Sequence, residues 1–232
     1  MKAIILSGGK GERLRPFTES CPKSMIEVDG KPIIHYQIEW LKKYGVDEIV
    51  FACGYLNEKI KDYFGDGKRL GIKADYSVEE KPLGRGGAIK KAWGKFPGER
   101  VIVTNGDIFT DLNLNDVLEN HINKKEKNGI LATICLFPFK SPYGVVRVGE
   151  DGIVQDFEEK RKLPYWINGG IYIFEPEVRN FLPDIGDHET TTFQDFATKK
   201  LIYGYKSESY WKGIDTVKDL NDFMSDKKYK SA

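Results

Sequence analysis

Ala3-Ile4-Ile5-Leu6-Ser7-Gly8-Gly9-Lys10-Gly11-Glu12-Arg13-Leu14-Arg15-Pro16-Phe17-Thr18, running on to Cys21-Pro22-Lys23-Ser24-Met25, is the stretch on which the fold turns. Its apolar run, Ala3–Leu6, is short and unbroken, the pattern of a strand buried on both faces. The run stops at a glycine-rich loop carrying the cations Lys10, Arg13, Arg15 and Lys23. Glycines let backbone N–H groups approach an anion closely. Cations gathered in one loop of a chain with Lys+Arg 36 against Asp+Glu 35 point to a polyphosphate. A Walker loop needs Gly-Lys-Ser/Thr after four intervening residues, which is absent. A dinucleotide fingerprint needs a third glycine where Leu14 stands.

Beyond this loop, strand and helix patterns alternate. Pro32 opens a helical spacing of Ile33, Ile34, Ile38, Trp40, Leu41 and Tyr44, and Gly45 stops it. Strands are expected at Glu48–Cys53, Ile72–Val78 and Arg100–Thr104, and helices at Asn57–Phe64, Arg85–Trp93 and Leu114–Lys124. This alternation predicts an α/β fold, a Rossmann-like, mostly parallel but mixed sheet flanked by helices. Ligands in such sheets bind beyond the carboxyl ends of the strands. The loops 7–23, 79–87 and 105–111 should therefore share one edge.

The later half changes texture. Ile130–Phe137, Gly144–Val148, Ile153–Phe157 and Ile167–Phe174 read as successive strands, Glu175–Leu182 and Thr192–Lys200 as short helices, Leu201–Tyr205 as a strand and Val217–Met224 as a closing helix. We expect a β-rich extension of the same sheet that carries a second substrate's pocket. With no Gly/Ser/Pro linker, 1–232 reads as a single domain with a first half, 1–125, and a second half, 126–232. The polar tail, Ser225–Ala232, is expected to fray.

Composition narrows the function classes. A net charge of +1 gives no basic excess for nucleic acid or a membrane surface. Cys21, Cys53 and Cys135 are scattered without a CxxC pair, which suits a reduced cytoplasmic setting. The first apolar run is too short for a signal peptide or a membrane helix. His35 and His121 fall in expected helices and make unconvincing bases. Trp40 and Trp93 fall on apolar helical faces and read as packing, while Trp211 is placed to wall a pocket.

GGKGERLRP followed by PKSM resembles the signature of the sugar 1-phosphate nucleotidyltransferases, GGxGxRLxPxT and then PKP. Ser7 stands where Ala is common, and Ser24 where Pro is. The likeness extends from Met1 to about Met224. Glu79-Glu80-Lys81-Pro82-Leu83-Gly84-Arg85-Gly86-Gly87-Ala88 is similar to the family's base-contacting PLGTGGA segment, with Arg85 in place of Thr. Asn105-Gly106-Asp107 is similar to its metal-binding strand end. Trp211-Lys212-Gly213-Ile214-Asp215-Thr216 resembles its late WxDIGTPED segment with Gly and Asp exchanged. Tyr143-Gly144-Val145-Val146, Phe157-Glu158-Glu159-Lys160 and Asn168-Gly169-Gly170 follow in the family's order.

The resemblance implies a nucleotide-binding half at 1–125, a sugar-binding half at 126–232 and a role for each position. Leu6, Ser7, Gly8, Gly9, Gly11, Glu80, Gly84, Gly87, Asn105 and Gly106 would bind the nucleotide, the glycines at 84 and 87 letting a flat base lie on backbone. Arg13 and Lys23 would be catalytic, neutralising the triphosphate and bridging it to the sugar phosphate. Gly144, Glu159, Lys160 and Asn168 would hold the sugar phosphate. Asp107 and Asp215 would hold Mg2+. For Asp215 a competing reading remains open, because Asp215 or Thr216 can equally cap the last helix.

The implied reaction joins a nucleoside triphosphate to a sugar 1-phosphate and releases pyrophosphate. Gly54-Tyr55, the run 62–67 and Tyr76–Glu80 lean toward heptose and mannose 1-phosphate guanylyltransferases. Asp215-Thr216 and Gly186-Asp187-His188-Glu189 lean toward cytidylyl transfer, and uridylyl or thymidylyl transfer stays open. Other readings are a nucleotide-sugar sensor without turnover and a Rossmann oxidoreductase, which the missing third glycine opposes. Self-association is left open.

Overall fold

The computed structural model describes residues 1–226. The first half runs β1 (Lys2–Ser7), β2 (Glu27–Val28), β3 (Lys31–Pro32), α1 (Ile33–Lys43), β4 (Glu48–Cys53), α2 (Asn57–Phe64), β5 (Lys73–Val78), α3 (Gly84–Trp93), β6 (Val101–Asn105), β7 (Ile108–Thr110) and α4 (Leu114–Asn128). The second runs β8 (Ala132–Lys140), β9 (Val145–Val148), β10 (Val154–Glu158), β11 (Lys162–Phe174), α5 (Thr192–Thr198), β12 (Ile202–Lys206), β13 (Trp211–Gly213) and α6 (Val217–Asp226).

Seven strands make one sheet in the order β12-β8-β11-β6-β1-β4-β5. β6, β1, β4 and β5 are parallel, and β12 is parallel to β8. β11 runs against both its neighbours, β6 and β8, and so joins the two halves into one continuous sheet. The expected mostly parallel, mixed sheet is what forms. The loops after β1, β5 and β6 leave the same carboxyl edge.

Alternation along each buried strand sorts side chains to two faces. Ile5 and Phe51 point into a core roofed by Ile34, Ile38 and Leu41 of α1 and Ile60 and Phe64 of α2. Ile4 and Val50 point the other way, onto Ala88, Ala92 and Trp93 of α3 and Phe196 of α5. A third cluster, with Leu14, Ile26, Phe109, Ile214 and Phe223, lies beneath the first loop and α6. It anchors the first loop to α6.

Several details differ from expectation. β9 and β10 form a separate antiparallel ribbon rather than extending the main sheet. β11 starts at Lys162 rather than Ile167, since Pro164 masks its first residues, and its pairing with β8 shifts register between Asn168 and Tyr172. The short helix expected at Glu175–Leu182 forms as a 3-10 helix, Pro176–Phe181. The stretch 105–111 holds β7, which pairs with β13 about a hundred residues later. Ser225 and Asp226 lie in α6, and the rest of the expected fraying tail, 227–232, falls outside the described residues.

Two buried polar groups shape this half. Glu175 follows β11 with a side chain only 3% exposed, and meets Arg100 Nε at 2.5 Å, Lys125 Nζ at 2.5 Å and His121 Nε2 at 2.8 Å. His188 is fully buried, edge-on to Tyr172, Phe174 and Phe193, and neither ring nitrogen has a hydrogen-bond partner among the described residues. Burial, aided by the nearby Arg85 charge, pushes its pKa from 6.5 down to about 4, against the opposing pull of Asp187.

The unfolded chain therefore binds a proton at His188 before the folded chain does. Stability from this group is complete above about pH 6.5 and is lost as pH falls toward 4. His188→Phe, which fits the aromatic cluster, should flatten the acid side of the stability profile by about 3 kcal/mol near pH 4. Urea unfolding of both proteins from pH 7 to pH 4 measures this, and parallel curves would show that the ring is not buried neutral.

Candidate active site

The first loop folds by local rules. Gly11 adopts a left-handed φ of 64° and caps a 3-10 turn at Glu12–Leu14, with its carbonyl accepting from Thr18 Oγ1 at 2.9 Å. A Cβ at this position would lie 2.9 Å from the Thr18 methyl and 3.0 Å from Lys23 Cβ. The turn is thus closed by its own contacts, and Leu14 plugs into the core below. Arg13 is left 70% exposed on the outer side. Lys23 begins a second 3-10 turn, Lys23–Met25, and points inward with its side chain 15% exposed.

β6 delivers Asp107 beside this loop. Gly106 N donates to Leu6 O at 2.8 Å, and the space beside Gly106 is taken by the Ser7 hydroxyl. The β7–β13 pairing brings Asp215 to the same place, because Gly213 lies opposite Ile108 and Ile214 N donates to Asp107 O at 3.0 Å. The result is a four-charge cluster. Lys23 Nζ contacts Asp107 and lies 2.6 Å from Asp215, and Arg13 Nη2 lies 2.9 Å from Asp215. Burial alone would lower the Lys23 pKa, but Asp107 and Asp215 outweigh it and raise it above its ordinary value. Lys23 stays an ammonium at any physiological pH.

The cap of the last helix falls to Thr216 and not to Asp215. Thr216 Oγ1 accepts from Asp219 N at 3.2 Å while Asp219 Oδ2 accepts from Thr216 N at 2.9 Å, a reciprocal capping box for α6. Thr216 and Asp219 cap the helix. The Asp215 carboxylate instead faces the two cations.

Of the remaining first-loop positions, Leu6 and Ser7 end β1, Gly8 is half-buried and Gly9 is open. Glu80 is exposed, whereas its neighbour Glu79 lies against Gly8 and accepts from Leu83 N at 2.8 Å. Asn105 is half-buried beside Gly170 of β11, and its Oδ1 lacks a partner among the described residues.

Gly84, Gly86 and Gly87 do more than leave room for a base. A Cβ at Gly84 or Gly86 would come within 2.7 Å of Gly186 or Pro183, and one at Gly87 would strike the Asp184 carbonyl. Gly186 O accepts from Gly86 N at 2.9 Å, and Asp187 Oδ1 from Arg85 N at 2.9 Å. The 183–187 loop therefore lies directly on the start of α3 and takes up its free N–H groups. Packing within the chain already accounts for these glycines.

In the second half, Gly144 faces Phe157, and its missing side chain would lie 3.1 Å from Glu159 Oε2. Glu159 and Lys160 are exposed at the end of β10, with Lys160 at φ 54°. Asn168 sits at the register shift of β11, where its Oδ1 accepts from Gly170 N at 2.9 Å. Trp211 Nε1 donates to Gly169 O at 2.8 Å and the indole stacks on Phe137. Glu79 and Glu189 carried no signal beyond their place in motifs. Both are picked out by contacts that cross between distant loops.

The glycine turn and inward lysine, the strand-end aspartate and the late aspartate thus meet at the carboxyl edge of one sheet. A family model described as nucleotidyl transferase matches residues 2–229. The chain belongs to the nucleotidyl transferase family. This nucleotidyl transferase is 36% identical over 225 residues to a D-glycero-alpha-D-manno-heptose 1-phosphate guanylyltransferase of Aneurinibacillus thermoaerophilus, covering 94% of this chain and 95% of that one. It is 41% identical over 197 residues to the Campylobacter jejuni protein of the same name, with 84% of each covered. The solved structure of HddC from Yersinia pseudotuberculosis complexed with GMP-PN superposes with a TM-score of 0.75 at 27% identity, covering 98% of this nucleotidyl transferase and 99% of that chain.

Proposed function

We propose that the protein transfers a guanylyl group to a heptose or mannose 1-phosphate, releasing pyrophosphate. The observation that carries this reading is the convergence of Lys23 and Arg13 with Asp107 and Asp215 beside a glycine turn. Similarity to heptose 1-phosphate guanylyltransferases over nearly the whole chain favours the base and the sugar. The partners are then a nucleoside triphosphate and a sugar 1-phosphate. Residues 1–125 serve the first and 126–232 the second, as one working domain.

In this reaction a phosphate oxygen of the sugar 1-phosphate attacks the α-phosphorus of the nucleotide. The bond from that phosphorus to the bridging oxygen breaks, and pyrophosphate leaves with the electron pair. No proton has to be removed from the nucleophile, so no general base is needed. What the protein must supply is position and neutralisation. Lys23, inward and permanently charged, serves the α-phosphate and the sugar phosphate. Arg13, exposed on the outer side of the loop, serves the departing pyrophosphate. The Gly8–Gly11 turn offers backbone N–H groups to the same phosphates.

Asp107 and Asp215 fit magnesium. Both are hard oxygen donors, and they converge on a single cationic group, Lys23. Among the described residues no cluster of three or more His, Cys, Asp and Glu stands together. Asp107 and Asp215 would hold a magnesium ion as its protein carboxylates. When bound, it supplies charge neutralisation for the triphosphate.

Asp215→Asn should lower turnover about tenfold or more and raise the magnesium concentration needed for half-maximal rate. Normal turnover with unchanged magnesium dependence would remove Asp215 from the ligand pair.

The test of the whole reading is pyrophosphate release across a panel of nucleoside triphosphates and sugar 1-phosphates with magnesium. Release that requires both substrates, greatest with GTP and a heptose or mannose 1-phosphate, is expected. A maximum with another base would move the transfer to that nucleotide. Absence of release from every pair by folded protein would overturn the reading.

A further inference from the structure

Arg85 stands where the family resemblance has Thr, and it does not point into solvent alone. Its guanidinium lies 3.4 Å from Asp187 through Nε and contacts Glu189 through Nη2. Glu189 Oε1 in turn accepts from Asn168 Nδ2 at 3.2 Å and from Tyr172 Oη at 3.3 Å. Asn168 Nδ2 also donates to Tyr172 Oη at 2.9 Å, and its Oδ1 accepts from Gly170 N. A continuous polar chain therefore runs from the first turn of α3 to the register shift of β11. It joins the loop after β5, expected to meet the base, to the strand expected to meet the sugar.

The chemistry of this chain fixes an orientation. An ionised carboxylate only accepts hydrogen bonds, so Glu189 obliges Asn168 to turn its amide N–H groups inward. Both of those donors are then used, by Glu189 and Tyr172. Asn168 is exposed, and what it has left to offer outward is one lone pair on Oδ1. Arg85 and Glu189 form the link on which this depends, since the side chain of Glu189 is only 21% exposed and that of Arg85 46%. Without Arg85, a largely buried carboxylate would lose its charge partner and move toward water. Asn168 could then rotate and present N–H instead of oxygen.

We propose that Arg85 is a positioning residue for the sugar site, holding Glu189 so that Asn168 presents a hydrogen-bond acceptor to a sugar hydroxyl. This rests on the reading of the site as a sugar 1-phosphate site. It adds a polarity to that reading, because the sugar must bring an O–H donor to Asn168.

The experiment compares wild type with Arg85→Thr and Arg85→Lys. Steady-state pyrophosphate release is measured with whichever nucleotide and sugar 1-phosphate wild type uses best. In Arg85→Thr, KM for the sugar 1-phosphate should rise about tenfold, the scale of one hydrogen bond to a charged or fixed group, with KM for the nucleotide held within about twofold. Arg85→Lys, which keeps the charge, should recover part of the loss. Equal changes in both KM values, or none in either, would overturn the proposal even if the melting temperature falls.

If wild type turns over no pair, the functional reading falls by itself. Hydrogen exchange at the Gly170 amide still tests the tie. Faster exchange there in Arg85→Thr, with the α3 interior unchanged, supports it, and unchanged exchange at Gly170 rejects it.

Discussion

Lys23→Ala is expected to yield a folded protein whose turnover has fallen by about 10²–10³, the usual result of removing one preorganised donor to developing phosphate charge. Fold retention follows from where the side chain lies. Lys23 belongs to a single 3-10 turn, and the neighbouring Ser24 and Met25 hold that turn to the core. The substitution leaves Asp107 and Asp215 without their shared cation. Their side chains are 25% and 48% exposed, so water screens the repulsion and the stability change should stay near 1 kcal/mol. Lys23→Arg should not restore the rate, because a planar fork replaces a compact charge in a fitted space. Circular dichroism and a pyrophosphate assay on the same preparations check both halves of this expectation. A variant with normal turnover would remove Lys23 from the chemistry.

The largest stability effect is expected at Glu175, far from the phosphates. Burial alone would raise its pKa, but Lys125, His121 and Arg100 overcome this and bring it from 4.5 to about 2. Removing one partner of a buried ion cluster generally costs about 3–5 kcal/mol. Here Arg100 and Lys125 are about a third exposed and can turn to water, while His121 cannot. Glu175→Gln should therefore fall at the lower end, about 3 kcal/mol, which for a chain of this size lowers the melting temperature by roughly 10 °C.

The pH dependence has a definite sign. The folded pKa lies below the unfolded one, so the contribution of Glu175 is complete above about pH 4.5 and disappears as pH falls toward 2. The difference between wild type and Glu175→Gln should shrink over that window in chemical denaturation. A constant difference would mean that the lost stability is packing and not charge.

Most of the first half was legible because β1, β4 and β6 are short apolar runs closed by glycine or by Asn-Gly-Asp, and its longer helices have clear stops. α1 ends at Lys43, followed by Tyr44 and a left-handed Gly45, and α4 is capped by Asn113 and closed by Gly129. The second half was harder for physical reasons. β7 and β13 are three residues each and owe their existence to pairing with one another, so neither carries a periodicity of its own. The ribbon of β9 and β10 has a strand pattern, but alternation alone does not say which sheet a strand joins.

In the candidate site, charged motif residues were found by type and order. The cap at Thr216 and Asp219, the Glu189 tie and the Glu79 contact with Gly8 each depend on which loops meet in space. The glycines of 84–87 read as a platform for a base, but a close approach to a distant loop leaves the same mark as a ligand.

The position of Asp215 also bears on how the protein is made. Synthesis proceeds from the amino end at about 5–20 residues per second. Lys23 and Asp107 are in place early, but β6 remains an open edge until β11 is added, and β13 docks only after that. Charge pairing around Lys23 is thus half complete on a ribosome-bound chain for many seconds. Asp215 is thus supplied only when most of the described chain has been synthesised, and a chain broken off before Trp211 should lack both this carboxylate and the Ile214 and Phe223 side chains that pack beneath the glycine turn.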